Sequence, residues 1–347
     1  MQKIPKKLKS SRSNSYFILQ YIFRPLANFI FVKFLFISPR YSGGIGGHAA
    51  MLVNQLQNSG HDITKMETPH IPIKNLKNPS FAILGAIKGI VSRENYDIIH
   101  AFNVPSAFAM HYAKGKKKIL SVHGVFSDQV KAIHSSTTSS IATNVESKVL
   151  KWADKLTTDS KTSQVEYKKK LDLDFEYLPS PIDTEMFKQI SEVEKSTNQI
   201  AYIGRDSFEK GIDILKNIES EINGNVVYCV NKPWEETMKI LKSSTILVVP
   251  SRMESLPTVI KEAFYLKIPV IATSVGGIPE LVKDNETGLL VESENPQMLL
   301  KKINQLLADP SLQEKISLNG YNFVTNNFTW QKILPIYIKF YENLLET

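Results

Sequence analysis

ILVVPSRMESLPTVIKEAFYLKIPVIATSVGGIPELV, residues Ile246 to Val282, decides the fold. It opens on a short apolar run closed by Pro250, the mark of a strand buried on both faces. A helical pattern starts around Pro257, where the N–H that proline lacks would have had no partner. IPVIATS then reads as a second strand, and another helix opens from Pro279. Strand, loop, helix and strand at this spacing form the unit of a parallel sheet with crossover helices.

The same alternation continues on either side. Upstream lie QIAYIG, a helix from Gly211, NVVYCV and a helix from Pro233; downstream lie GLLV and two closing helices, the last holding Trp330, Tyr337 and Tyr341. Nearer the N-terminus, Val32–Ser38, His61–Met66, Asp97–Ala101, Lys118–Val122 and Lys155–Thr158 read as strands with helices between them, one from about Gly47 to Asn58. LPSPIDTEMF, Leu178 to Phe187, and the polar SEVEKSTNQ after it read as a linker. The expected class is α/β with two Rossmann-like doubly wound domains facing a central cleft. The boundaries read as an extension 1–31, an acceptor-side domain 32–185, a donor-binding domain 186–325 and a final helix 326–347. Ligands of such sheets bind at the C-terminal ends of the strands.

Composition bounds the partners. The chain has 347 residues and a net charge of +8. Lys3, Lys6, Lys7, Lys9, Arg12, Arg24, Lys33 and Arg40 all precede the first acidic residue, Asp62, and the remainder is balanced. A nucleic-acid-binding body would need a basic face on the globular part as well. The uncharged run Ser13–Phe23 is too short for a spanning helix, which needs about 20 apolar residues. A basic, aromatic-rich segment over 1–31 suits an anionic membrane surface, or else a helix packed on the first domain. The single cysteine, Cys229, lies in an apolar run, which points to buried core and a reducing, cytoplasmic setting, while the basic segment 1–31 suggests peripheral attachment to the inner membrane face.

The chemistry gathers around the strand ends. Glu254 precedes the helix from Pro257 and Glu262 lies inside it, so the two carboxylates can flank a diphosphate bound by the free amides of Ser255 and Leu256. One would accept hydrogen bonds from a sugar and the other from a ribose. In IGRDSFEKG, Arg205 and Lys210 stand near the mouth of a strand, where two cations stabilise charge developing on a leaving diphosphate. SPRYSGGIGGHAA offers Gly43 and Gly44 for close backbone approach. Its spacing does not fit a dinucleotide fingerprint, which sets aside a nicotinamide-dependent oxidoreductase. His123 and His100 both stand at strand ends; His100 suits a structural role equally well. Asp172-Leu173-Asp174 could hold a metal but sits at a helix end away from these motifs, and no His/Cys cluster has metal-ligand spacing.

VVPS, EAFYLKIPVIATSVGGIPELV and TGLLV resemble the glycosyltransferase family 4 group, which has the two-domain GT-B fold, and the resemblance runs through nearly all of the chain after Val32. It implies that Glu254 and Glu262 are the two acids of the family's E-x7-E motif, contacting donor sugar and ribose. It implies phosphate binding by the amides of Ser255 and Leu256 and by Arg205 and Lys210, the latter in a G-R-x-x-x-x-K-G pattern. It gives Gly43 and Gly44 contacts to sugar and phosphate, and it places His123, followed by Gly124, near the reacting face of the sugar. Ser255-Leu256-Pro257 replaces the usual Gly-Phe-Gly. With only NVVYCV between Lys210 and Ile246, the C-terminal domain is trimmed by about one βα unit. The activity implied is a retaining transfer from a nucleotide-sugar to a glycan or lipid-linked acceptor in cell-surface glycan synthesis, without a metal or other cofactor. A non-catalytic sugar-nucleotide or glycan-binding partner subunit and a sugar-nucleotide epimerase are the alternatives.

Overall fold

The computed structural model describes residues 31–39, 44–68, 71, 73, 77–124 and 136–347. Over Lys33–Thr347 the chain builds two parallel sheets, of six and five strands. In the first the order is β2-β1-β3-β4-β5-β6, with β1 Lys33–Pro39, β2 Asp62–Thr68, β3 Asn95–Phe102, β4 Lys114–Ser121, β5 Lys155–Thr158 and β6 Glu176–Tyr177. Helices α1 (Gly44–Asn58), α2 (Lys77–Val91), α3 (Ala107–Tyr112), α4 (Ser136–Leu150) and α5 (Lys161–Leu171) lie between these strands in sequence. β6 has only two residues and no periodicity of its own, so it was not legible as a strand.

The second sheet runs β11-β10-β9-β7-β8, with β7 Gln199–Ile203, β8 Asn225–Cys229, β9 Ile246–Val249, β10 Val270–Thr273 and β11 Leu289–Val291. Its helices are α6 (Thr184–Phe187), α7 (Ile212–Ile218), α8 (Trp234–Ser243), α9 (Thr258–Tyr265) and α10 (Ile278–Leu281). The unbroken apolar spelling of β9 has a simple cause. Ile246 and Val248 face one buried cluster with Tyr202, Ile271 and Leu299, while Leu247 and Val249 face another with Ile260, Phe264 and Ile278. A central strand covered on both sides has no polar face to alternate with.

Two local readings are corrected. Pro257 occupies the N-cap of α9 rather than its first turn, with φ −65° and ψ 121°. Three helices, not two, follow β11: α11 (Pro296–Leu307), α12 (Pro310–Asn327) and α13 (Trp330–Glu346). The Asp309-Pro310 step divides what reads as one helix. Asp309 caps α12 through the Leu312 amide, and Pro310 cannot donate within a continuous helix.

The chain leaves the first sheet along Leu178–Asp183, and Phe328–Thr329 runs beside it. The Ile182 amide donates to the Phe328 carbonyl, and Ile182 bridges Thr329. Beyond this point α13 packs on the first sheet. Tyr341 meets Phe34 with ring centroids 5.0 Å apart and bonds His100 Nδ1 at 2.8 Å; Tyr337 lies 3.2 Å from His48 Nε2.

Candidate functional site

Loops at the C-terminal ends of β4, β5, β7, β9 and β10 supply the site. The centre is the loop after β9. Glu254 Oε1 lies 2.7 Å from Lys210 Nζ and 3.0 Å from Ser251 Oγ, and the carboxylate side chain is 9% exposed. A long loop ordinarily wanders; this one is clamped. Arg252 and Met253 donate their amides to the Glu209 carbonyl, and the Arg252 side chain bonds Asp213, Glu294 and the Phe208 carbonyl.

Three glycines permit the clamp. A Cβ on Gly211 would stand 2.0 Å from the Pro250 carbonyl oxygen, and that residue has φ +64°. A Cβ on Gly276 or Gly277 would stand 1.8 or 2.0 Å from the carbonyl oxygens of Glu254 and Ser255. The loop after β10 therefore presses directly on the backbone before α9. Among the described residues, no acceptor is recorded for the Ser255 and Leu256 amides, which precede the positive end of that helix.

Glu262 lies half-buried inside α9 and accepts from Trp234 Nε1 at 2.8 Å. Burial raises its pKa, against the pull of that hydrogen bond and of the neighbouring Lys261 ammonium. Lys261 is wholly buried and donates to the carbonyl and hydroxyl of Ser180; burial lowers its pKa to about 8 although Asp159 and Glu262 oppose this. Arg205 points elsewhere. Its side chain is 69% exposed and pairs with Glu209 at 2.8 Å.

His123 comes from the turn after β4. Gly124 follows at φ +79°, a conformation that glycine adopts freely, and the Tyr167 hydroxyl reaches its carbonyl. His123 Nδ1 lies 3.0 Å from Asp159 Oδ2, and Asp159 Oδ1 accepts from Ser255 Oγ at 2.7 Å. One buried carboxylate at the end of β5 thus joins the histidine of the first sheet to the loop before α9. Burial alone would raise the Asp159 pKa; the His123, Ser255 and Lys261 neighbours overcome this and hold it at about 2. Next in sequence, Ser160 Oγ and the amides of Lys161 and Thr162 all donate to the Glu280 carboxylate. Glu280 belongs to α10 of the second sheet and caps α5 of the first.

The structure therefore brings together Lys210 and Glu254, and separately His123 with Ser255. Glu262 sits deeper along α9, and Leu256 is buried with its amide at the helix entrance. Gly44 opens α1 at φ +48° with open space beside it; Gly43 and the basic stretch 1–30 lie outside the described residues. His100 is structural: its ring nitrogens meet Tyr341 and Ser121, it stacks on Phe102, and burial lowers its pKa to about 3. Asp172 and Asp174 pair with Lys168, and Asp172 ends α5 in the left-handed conformation. Among the described residues no acidic, histidine or cysteine group is arranged to hold a metal ion. Cys229 is core, its thiol raised to about 11 by burial. Asp159, Ser251, Lys261 and Glu280 escaped the sequence reading. The one signal for them was the Gly276-Gly277 pair, which marks where two loops touch.

Two family models match the chain: Glycosyltransferase Family 4 over residues 42–186 and Glycosyl transferases group 1 over residues 214–323. The chain belongs to the family 4-type glycosyltransferases. An uncharacterised glycosyltransferase of Methanocaldococcus jannaschii is 27% identical, over 88% of this chain and 95% of its own. The capsular polysaccharide biosynthesis glycosyltransferase CapM of Staphylococcus aureus is 31% identical, over 41% of this chain and 38% of its own. Among solved structures, sucrose-phosphate synthase from Thermosynechococcus elongatus superposes with a TM-score of 0.75 at 17% identity, covering 90% of this chain and 99% of that one. Anabaena HepE, solved in complex with UDP-glucose, gives 0.65 at 16% identity over 91% and 100%. The fold is GT-B, and the enzyme is a glycosyltransferase. Among the described residues no helix is long and apolar enough to cross a membrane.

Proposed function

We propose that this glycosyltransferase moves a sugar from a nucleotide-sugar to a glycan or lipid-linked acceptor with retention of anomeric configuration, and that it needs no metal. The observation that carries this reading is the Lys210–Glu254 pair beside the unbonded Ser255 and Leu256 amides. A cation and a helix N-terminus at one point make a site for the donor diphosphate. Arg205, which pairs with Glu209 here, would join them by leaving that carboxylate for the diphosphate. Glu262, held by Trp234, takes the ribose; Glu254 and His123 take the sugar; the family resemblance assigns Gly43 and Gly44 contacts to the sugar and phosphate.

In the proposed step the bond between the anomeric carbon and the phosphate oxygen breaks while the acceptor oxygen bonds that carbon on the same face. The acceptor proton passes to the departing phosphate oxygen. Lys210 and the two amides stabilise the charge left on the nucleoside diphosphate. The similarity to HepE, a structure containing UDP-glucose, supports a sugar-nucleotide donor. The similarity of part of the chain to a capsular polysaccharide enzyme, together with the basic residues of segment 1–31, supports a cell-surface glycan acceptor at a membrane and a cytoplasmic site of action.

A screen of sugar nucleotides for hydrolysis and thermal stabilisation tests the proposal, followed by product NMR for anomeric configuration. Lys210→Ala and Glu254→Ala are each expected to lower turnover about 100-fold or more. Unchanged rates in both variants overturn the assignment. Stabilisation by a donor that is never hydrolysed or transferred would favour a binding subunit instead.

A further inference from the structure

Helix α2 carries an unusual face. It packs through Phe81, Gly85 and Gly89, all buried, and a Cβ on Gly89 would stand 2.5 Å from the Ala109 carbonyl oxygen of α3. So narrow a contact strip leaves the rest of the helix outside. Ile83, Ile87, Ile90 and Val91 are 63%, 52%, 61% and 65% exposed, Leu84 adds to the same side, and Ile71 and Ile73 precede them at 44% and 57%. Single exposed aliphatic residues are ordinary; this many along one helix are not.

The charge along this stretch of sequence has one sign. From Thr68 to Arg93 the sequence holds Lys74, Lys77, Lys88 and Arg93 and no carboxylate. The acids on either side are already neutralised, Glu67 by Lys65 and Glu94 by Lys33, each at 2.8 Å. A second copy docked here would set cation against cation. An anionic bilayer offers headgroups to the cations and acyl chains to the isoleucines, the pairing that holds an amphipathic helix in an interface. We infer that α2 is a membrane-docking element that lays Ile83, Ile87, Ile90 and Val91 into the surface of an anionic bilayer.

This inference does not depend on the donor chemistry, since its test uses lipid alone. Ile87→Cys, in a Cys229→Ala background, carries an environment-sensitive fluorophore, and Leu318→Cys on α12 serves as the comparison site. On adding phosphatidylglycerol/phosphatidylcholine vesicles, the probe at 87 brightens and shifts to the blue. The probe at 318 does not, and phosphatidylcholine alone gives little response. Lys88→Gln and Arg93→Gln each weaken vesicle binding about fivefold, corresponding to about 1 kcal/mol per surface cation. No response at position 87 overturns the inference. So does a probe at 87 that is already shielded without lipid, which would mean that another part of the chain, or on concentration dependence a second copy, covers the face.

Discussion

At the residue scale, Asp159 gives the sharpest expectation. A neutral imidazole whose Nδ1 faces a carboxylate keeps its proton there and its lone pair on Nε2. An asparagine can present an N–H in place of the carboxylate and reverse that tautomer, as an Asp-to-Asn change does in serine proteases. Asp159→Asn should therefore lower turnover at least tenfold while KM for the donor changes little, and ring-nitrogen NMR should show His123 protonated on Nε2. An unchanged tautomer would refute the role. Lys261 supplies a pH effect. Its ordinary value is 10.5 and the folded value about 8, so between these the unfolded chain binds the extra proton and stability rises with pH. The stability of wild type relative to Lys261→Met should grow by up to about 3 kcal/mol from pH 8 to 10.5 in denaturant melts. Little of this was legible beforehand. Ser255 and Asp159 lie 96 residues apart, and no local pattern encodes a bond at that separation. Lys210 and Glu254 were legible through resemblance, whereas Arg205 shows that a motif position does not fix where a flexible side chain rests.

At the element scale, the strands of the second sheet were readable because each is a closed apolar run, and α9 because its buried face repeats at Ile260, Ala263 and Phe264. Boundaries set by caps were read less well, as Pro257 and the Asp309-Pro310 break show. The tight element is the loop after β10. Gly277→Ala would drive a methyl group into the Ser255 carbonyl, at 2.0 Å, and toward Ser160 Oγ, at 2.9 Å. Backbone cannot swing aside as a side chain does, so a loss of about 2–4 kcal/mol is expected in thermal melts, with weaker donor binding. A neutral outcome would mean that the α9 entrance is not built on this contact.

At the scale of the whole molecule, the two sheets are joined by two adjacent strands of chain and by carboxylates that cross the cleft. Glu280 accepts three hydrogen bonds from the start of α5. Glu280→Ala leaves those donors to water and should widen the cleft, seen as a larger radius of gyration in solution scattering and faster proteolysis near Leu178–Asp183. An unaltered scattering profile would show that the crossing segments suffice alone. Two sheets were foreseeable from alternation; their mutual contacts were not, because they depend on how far apart in the chain the touching residues lie. The return of α13 has a consequence for biosynthesis. His100 and His48, in the first-made sheet, find Tyr341 and Tyr337 only after α13 has left the ribosome. Until α13 has been made, the first sheet must therefore wait with part of its interior open.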